Sequence, residues 1–348
     1  MRPASRCCPH WPPPKLSQRA DGMKRMVTPI GPIPAEQVVL HYQPVVSIDT
    51  RTIYGVEALA RWLHPELGLL EPKRFAARVA ASQAIVPLTR IVLEKAIEQQ
   101  RDWRRDGVRL AMSVNVSALF LTGPDVAEEI LKLLTCNDCD PRELTIEITE
   151  TEVAHNPSVA REQLQRLRDA GVGVSMDDFG QGYSTPQRLV YFPFSNLKLD
   201  RSMVERAGRT LDGRLSLRRA VSLARNRRLS LTGEGVETEA QWAMLAGLRF
   251  DYAQGFLMAP ALAEPDLLVW IEDATRSGRF AIRSISGAKG HHVDPCDTCR
   301  SDEGSSSSHC PHKCAECQNR IGNRCVFPGD REWRVSGSPC GVQETACR

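Results

Sequence analysis

The chain has 348 residues, 42% of them hydrophobic and 25% charged, with a formal net charge of +3. That charge is too small to select a nucleic-acid polymer or a membrane surface as partner, and the length fits one large domain or two ordinary ones. No apolar run approaches the roughly 18 to 20 residues that span a bilayer, which excludes a membrane-spanning helix.

Residues 1–35 are rich in Pro and Arg and lack the continuous apolar stretch of a secretory signal, so a cytoplasmic protein is expected. They read as a disordered arm or, ahead of Met23, as sequence preceding the true start. From Val38 onward, short apolar runs alternate with longer amphipathic ones. The strand-like runs are Val38 to Ile48, Ile53 to Leu59, Leu110 to Val116, Leu144 to Thr149, Gly173 to Met176, Asn196 to Leu199, Leu229 to Leu231 and Phe250 to Tyr252. Helix-like runs lie between them: Pro87 to Arg104, Pro124 to Leu134, Val159 to Ala170, Leu215 to Ala224 and Glu239 to Ala246, the last opened by a capping box of Thr238 and Gln241. Eight such runs within about 240 residues match one TIM-type (β/α)8 barrel better than an open doubly wound sheet. The turn Asp49-Thr50-Arg51-Thr52 is too short for a helical crossover, so the first strand is expected to be antiparallel to the second. The barrel is thus assigned to residues 36–278. No repeat of fixed period and no glycine-rich phosphate loop is present.

Residues 279–348 form a tail rich in Ser and Cys. Of twelve cysteines, only Cys136 and Cys139 lie within the barrel region, so that region is not a disulfide scaffold. Cys296-x2-Cys299 and Cys314-x2-Cys317 are close to four-thiolate zinc spacing; disulfides, loose thiols or a departed reading frame are the alternatives. Cys136 and Cys139 have no second pair near in sequence and read as part of a turn. The arginine-rich stretch Arg214 to Arg228 has apolar residues at helical spacing and reads as a solvated helix face rather than a nucleotide patch.

The polar residues within or just after the apolar runs carry the chemistry. Glu57 comes late in the second run, Asn115 near the end of the third and Glu147 within the fourth. Asp177 and Asp178 follow the fifth, Lys198 sits in the sixth, and Glu234 and Glu237 follow the seventh. A parallel barrel delivers the C-terminal ends of its strands to one face, where these residues would converge. Carboxylates crowded together need compensation, which hard divalent cations such as Mg²⁺ or Mn²⁺ supply through oxygen ligands. Adjacent Asp177 and Asp178 suit two metals sharing one carboxylate, the arrangement that clamps both oxygens in phosphoryl displacement. Lys198 would then hold the nucleophilic water or balance phosphate charge. Any one of these acids alone is as readily a turn or surface residue, but Glu57, Asn115 and Glu147 interrupt apolar runs, where an unpartnered polar group is costly.

Tyr42-Gln43-Pro44 followed by Glu57-Ala58-Leu59-Ala60-Arg61-Trp62, then Asn115-Val116-Ser117, Glu147-Ile148-Thr149-Glu150, Asp177-Asp178-Phe179-Gly180-Gln181-Gly182-Tyr183-Ser184, Leu197-Lys198-Leu199-Asp200, Glu234-Gly235-Val236-Glu237 and Gln254-Gly255-Phe256 stand in an order that resembles the EAL family of cyclic di-GMP phosphodiesterases. The resemblance covers about residues 38 to 270 and implies a TIM-type barrel that opens one phosphodiester of cyclic di-GMP to give linear pGpG. It implies that Glu57, Asn115, Glu147 and Asp177 bind one metal and Asp177, Asp178 and Glu234 the second. Lys198, Glu234 and Glu237 would be catalytic, with Lys198 on the nucleophilic water. Gln43, Arg61, Asp200 and Gln254 would serve substrate and its surrounding water, and Glu150 would anchor the loop after Asp178. A homodimer is also implied. A receptor that binds without hydrolysis is the alternative, against which the intact acidic set counts. The departures from the pattern are Gln181 where the loop usually has Thr, Ala60 after the EAL triplet, and Gly233 before Glu234; Gln181 bears on rate and regulation without removing a ligand.

Overall fold

A computed structural model describes residues 31–80, 84–149, 157–180 and 186–282, together with two-residue strand segments at 320–321, 324–325 and 333–334. The zinc candidates Cys296, Cys299, Cys314 and Cys317, the loop residue Gln181 and the loop anchor Glu150 lie outside the described residues.

Eight strands close a barrel: β1 (Val38–Ser47), β2 (Thr52–His64), β3 (Ala111–Asn115), β4 (Leu144–Thr149), β5 (Gly173–Phe179), β6 (Asn196–Leu199), β7 (Ser230–Gly233) and β8 (Tyr252–Gln254). From β2 to β8 neighbouring strands pair in parallel, and β1 closes the ring by pairing antiparallel with both β2 and β8. The short turn after β1 forces this closure, with Arg51 in the left-handed region at φ 50°. Several expected bounds shift: β2 runs past Leu59 to His64, where it pairs with Gly68–Leu70 in a hairpin, β5 runs past Met176 to Phe179 and so contains Asp177 and Asp178, β7 runs past Leu231 to Gly233, and β8 begins at Tyr252, where the Phe250 to Tyr252 run ends.

Ten helices surround the barrel among the described residues, five of them without a sequence-based expectation: α1 (Pro72–Ala80), α3 (Ala118–Leu121), α6 (Pro186–Tyr191), α7 (Arg201–Arg209) and α10 (Glu264–Arg276). The longest, α2 (Ile85–Arg105), buries Leu88, Val92, Leu93, Ala96, Ile97 and Trp103 at three- and four-residue spacing. The capping box of Thr238 and Gln241 opens α9 (Glu239–Gly247), with both reciprocal bonds formed. Trp62 packs at the barrel edge, its indole N–H donating to Gln37 Oε1 at 3.0 Å. Cys136 is exposed at the end of α4 (Val126–Cys136), and Cys139 is buried just beyond it; both are free thiols.

The core lies outside the ring. Val56, Val114, Ile146, Val174, Leu197 and Leu231 belong to one continuous apolar cluster between strands and helices. Their strand neighbours alternate to the other face, and that lumen is polar. At one level Asn196 donates to Ser175 Oγ at 2.9 Å and to Thr232 Oγ1 at 3.2 Å, while Ser230 Oγ donates to Asn196 Oδ1 at 2.9 Å. Two residues further along the same strands stand Asp177, Lys198 and Glu234.

Candidate metal centre

The C-terminal mouth of the barrel is built around Lys198, which is 2% exposed. Its ammonium lies 2.7 Å from Glu147 Oε2, 2.8 Å from Glu234 Oε1, 3.1 Å from Asp177 Oδ1 and 3.2 Å from Glu57 Oε2. β6 and β2 are not neighbours in the ring, so the Lys198–Glu57 contact spans the lumen. Asn115 donates to Glu57 Oε1 at 2.7 Å, and Gln254 Nε2 donates to Glu57 Oε2 at 2.7 Å and to Gln43 Oε1 at 2.9 Å. Gln43 stands directly opposite Glu57 in the β1–β2 ladder and donates in turn to the Ala259 carbonyl at 3.1 Å. Hydrogen bonds on both oxygens of Glu57 fix the orientation of its carboxylate.

Asp177 and Asp178 are consecutive, and in a regular strand they would point to opposite faces. A β-bulge between Met176 and Phe179 on β5 removes that constraint, leaving Asp178 in the left-handed region at φ 58°. Carboxylate oxygens of Glu57, Glu147 and Asp177 then lie within 4.8 Å of one another, and so do those of Asp177, Asp178 and Glu234. Asp177 belongs to both sets.

Five carboxylates against one lysine leave a formal charge of −4, the charge two divalent cations would cancel. The protonation equilibria show the strain. Burial raises the pKa of Glu147 to about 8, with the Lys198 charge opposing and Glu57 and Asp177 adding to the rise. Burial raises Glu234 well above the usual carboxylate range despite Lys198. Burial and the neighbouring charges of Asp177 and Asp200 raise Asp178 to about 6. Asp177 moves the other way: burial opposes its ionisation, but Lys198 and a hydrogen bond with Glu234 outweigh it. Burial likewise disfavours the Lys198 charge, yet Asp177, Glu147, Glu234 and Glu57 together hold its pKa well above the ordinary lysine value.

The residues fit a metal pair. Asp177 Oδ1 is buried and, although near Lys198, has no partner in hydrogen-bond alignment; Gln254 Oε1 is likewise buried without one. Buried oxygens left over in a polyanionic cleft are what a hard cation requires.

Arg61 lies four residues beyond Glu57 on the same side of β2, buried at 9% exposure; burial lowers its pKa, while Glu71 and Glu57 act to raise it. His41 is half-buried on β1, opposite Leu59 of β2. Two further expected site residues have partners outside the carboxylate sets. Asp200 is the N-cap of α7, accepting from Ser202 N at 2.9 Å. Glu237 is exposed and pairs with Arg201 at 2.9 Å. Sequence reasoning passed over the layer of Ser175, Asn196, Ser230 and Thr232, although a usable signal was present: 175, 196 and 232 each precede a site residue by two positions in a strand.

Fold and mouth define a class: a (β/α)8 barrel with an antiparallel first strand and a polyacidic site suited to two divalent metals. Residues 32–261 match the EAL domain family, and the chain belongs to it. Relatives include the bifunctional diguanylate cyclase/cyclic di-GMP phosphodiesterase MucR of Pseudomonas aeruginosa, 35% identical over 67% of this chain and 34% of that protein. The cyclic di-GMP phosphodiesterase RocR of the same organism is 36% identical over 66% of this chain and 58% of that protein. The chain thus spans about a third to about three-fifths of the length of these relatives. Among solved structures, a MucR phosphodiesterase in complex with c-di-GMP superposes with a TM-score of 0.61 at 34% identity, covering 67% of this chain and 94% of that one. An EAL domain protein from Listeria monocytogenes gives 0.61 at 27% identity, covering 68% and 93%.

Proposed function

We propose that this chain is a metal-dependent phosphodiesterase that hydrolyses cyclic di-GMP to linear pGpG, using two Mg²⁺ or Mn²⁺ ions. The observation that carries the reading is the pair of carboxylate sets joined at Asp177 and packed around Lys198. Similarity to MucR and RocR, whose names state this activity, supports the substrate. Glu57, Asn115, Glu147 and Asp177 would hold one ion, and Asp177, Asp178 and Glu234 the other. Such ions, when bound, polarise the phosphodiester and lower the pKa of water.

The chain's own residues do the rest. Lys198, kept protonated by its carboxylates, supplies a fixed positive charge beside the point where water must approach phosphorus. Gln254 and Asn115 fix the carboxylate of Glu57, and the unpartnered Gln254 Oε1 accepts from an incoming water. Arg61 and Gln43 line the mouth on β2 and β1, where a guanidinium and an amide recognise phosphate and base edges. Overall, the water oxygen joins phosphorus, one P–O bond breaks, and the released ribose hydroxyl takes a proton. A cytoplasmic homodimer belongs to the same proposal; among the described residues no helix is long and apolar enough to cross a membrane.

The test is hydrolysis of cyclic di-GMP by the purified chain with and without Mg²⁺ or Mn²⁺, followed chromatographically. Metal-dependent pGpG is expected, with Glu57→Ala and Asp177→Asn reducing it below detection. Tight binding without turnover in the presence of metal would instead identify a receptor, and a fully active double variant would remove the assignment.

A further inference from the structure

Positive charge is concentrated on one outer face of the molecule. Between Arg206 and Arg228 stand eight arginines and a single acid, Asp212, a local charge of +7 in a chain whose total is +3, so the remainder carries −4. All eight are exposed. Arg225 pairs with Asp251 at 3.3 Å and Arg206 donates to the Ser202 carbonyl. Arg214, Arg218, Arg219, Arg227 and Arg228 have no acidic partner among the described residues. No lysine occurs between Lys198 and Lys289. The selection of guanidinium over ammonium suits forked recognition of phosphate oxygens.

The arginines frame an apolar strip. Helix α8 (Leu211–Asn226) buries Gly213, Leu217, Ala220 and Ala224 against the barrel. At 100° per residue its opposite face carries Leu211 and Leu215, exposed at 68% and 43%, with Ser222 in line. Arg214 and Arg218 flank this strip on one side and Arg219 on the other. Helix α7 precedes α8 and continues the charge through Arg206 and Arg209.

We propose that this face docks on an anionic phospholipid surface, with the arginines on headgroup phosphates and Leu211 and Leu215 in the interfacial layer. Two exposed leucines amid arginines match the amphipathic pattern of an interfacial helix, and the number of basic groups is that of a polybasic membrane patch. A nucleic-acid strand is less well matched, because no exposed aromatic side chain lies between Arg206 and Arg228 to stack on bases. Helix α8 runs along the barrel wall, so docking would lay the barrel on its side and leave the mouth open to a dissolved substrate.

The experiment is flotation of the full chain with vesicles of phosphatidylcholine alone and of phosphatidylcholine containing roughly a third phosphatidylserine. Binding is expected only to the anionic vesicles and is lost in high salt. R214E/R218E/R219E should bind at least tenfold more weakly, as should the charge-neutralised R214Q/R218Q/R219Q, and L211S/L215S should weaken binding at unchanged charge. Circular dichroism and hydrolysis of cyclic di-GMP should be unaltered in all three, so vesicle binding is scored independently of the proposed activity. Equal binding to both vesicle types overturns the inference, as does a leucine variant of full affinity or tighter capture of a DNA or RNA oligonucleotide than of vesicles. Conversion of a dimer to monomer by L211S/L215S would assign the face to a second copy of the chain and overturn it equally.

Discussion

Lys198 shows how one side chain sets the character of the mouth. A lysine buried to this degree is sustained only because four carboxylates surround it, and those carboxylates tolerate burial only because of the lysine. Lys198→Met is therefore expected to destabilise the metal-free protein by about 3–5 kcal/mol, measured by urea unfolding, and to reduce hydrolysis by at least a hundredfold. The protons held on Glu147 and Asp178 make a second prediction. Their folded pKa values, about 8 and about 6, lie above those of free carboxylates, so between about pH 4.5 and 8 the folded state holds protons that the unfolded state has released. Stability of the metal-free protein should fall as pH rises through that window, and proton release should accompany Mg²⁺ binding, seen as buffer-dependent heats in calorimetry. Most of these residues were legible in the sequence because a polar residue interrupting an apolar run must be partnered when buried. The environments of Asp200 and Glu237 were not: Asp200 caps a helix that was not anticipated, and Glu237 reaches Arg201, 36 positions away along the chain.

At the scale of the element, two devices aim the site. The bulge in β5 lets two consecutive aspartates serve one mouth, and the loops after β7 and β8 lock together through their backbones. Val236 N donates to the Gln254 carbonyl at 3.0 Å, and Leu257 N donates to the Val236 carbonyl at 2.8 Å. Gly255 permits this approach, since a Cβ there would stand 2.2 Å from Val236 N. Gly255→Ala should thus cost about 1–3 kcal/mol and displace both Glu234 and Gln254, seen as a lower Tm together with reduced hydrolysis. Thr238→Ala should cost only about 1 kcal/mol through its cap and leave hydrolysis intact, a contrast that separates packing at the site from stability alone. The strands and the capping box were readable from period and cap chemistry. Helices α1, α3, α6, α7 and α10 were not anticipated. In α7 three arginines equal in number the buried Met203, Val204 and Ala207, and those apolar residues gain their meaning only from the surface they cover.

For the molecule as a whole, the barrel divides its labour between two faces of each strand. The outer face is apolar and holds the helices; the inner face is polar and rises from the Asn196 layer to the acidic mouth. This arrangement leaves the mouth short of positive charge, so metal binding and folding are coupled. Mg²⁺ or Mn²⁺ at about a hundred times its dissociation constant should stabilise the protein by about 2.7 kcal/mol, visible as a rise in Tm that Asp177→Asn abolishes.

Period, turn length and residue type within a strand suffice for the (β/α)8 class, the antiparallel first strand and the identity of the carboxylates. Which of those groups meet depends on the folded chain. Closure of the ring brings Glu57 to Lys198 across the lumen, the bulge turns Asp178 toward Asp177, and α8 sets its arginines and leucines on one outer face. Each is a relation between residues far apart along the chain or a local departure from the regular strand, and neither is encoded by the alternation of apolar and polar positions.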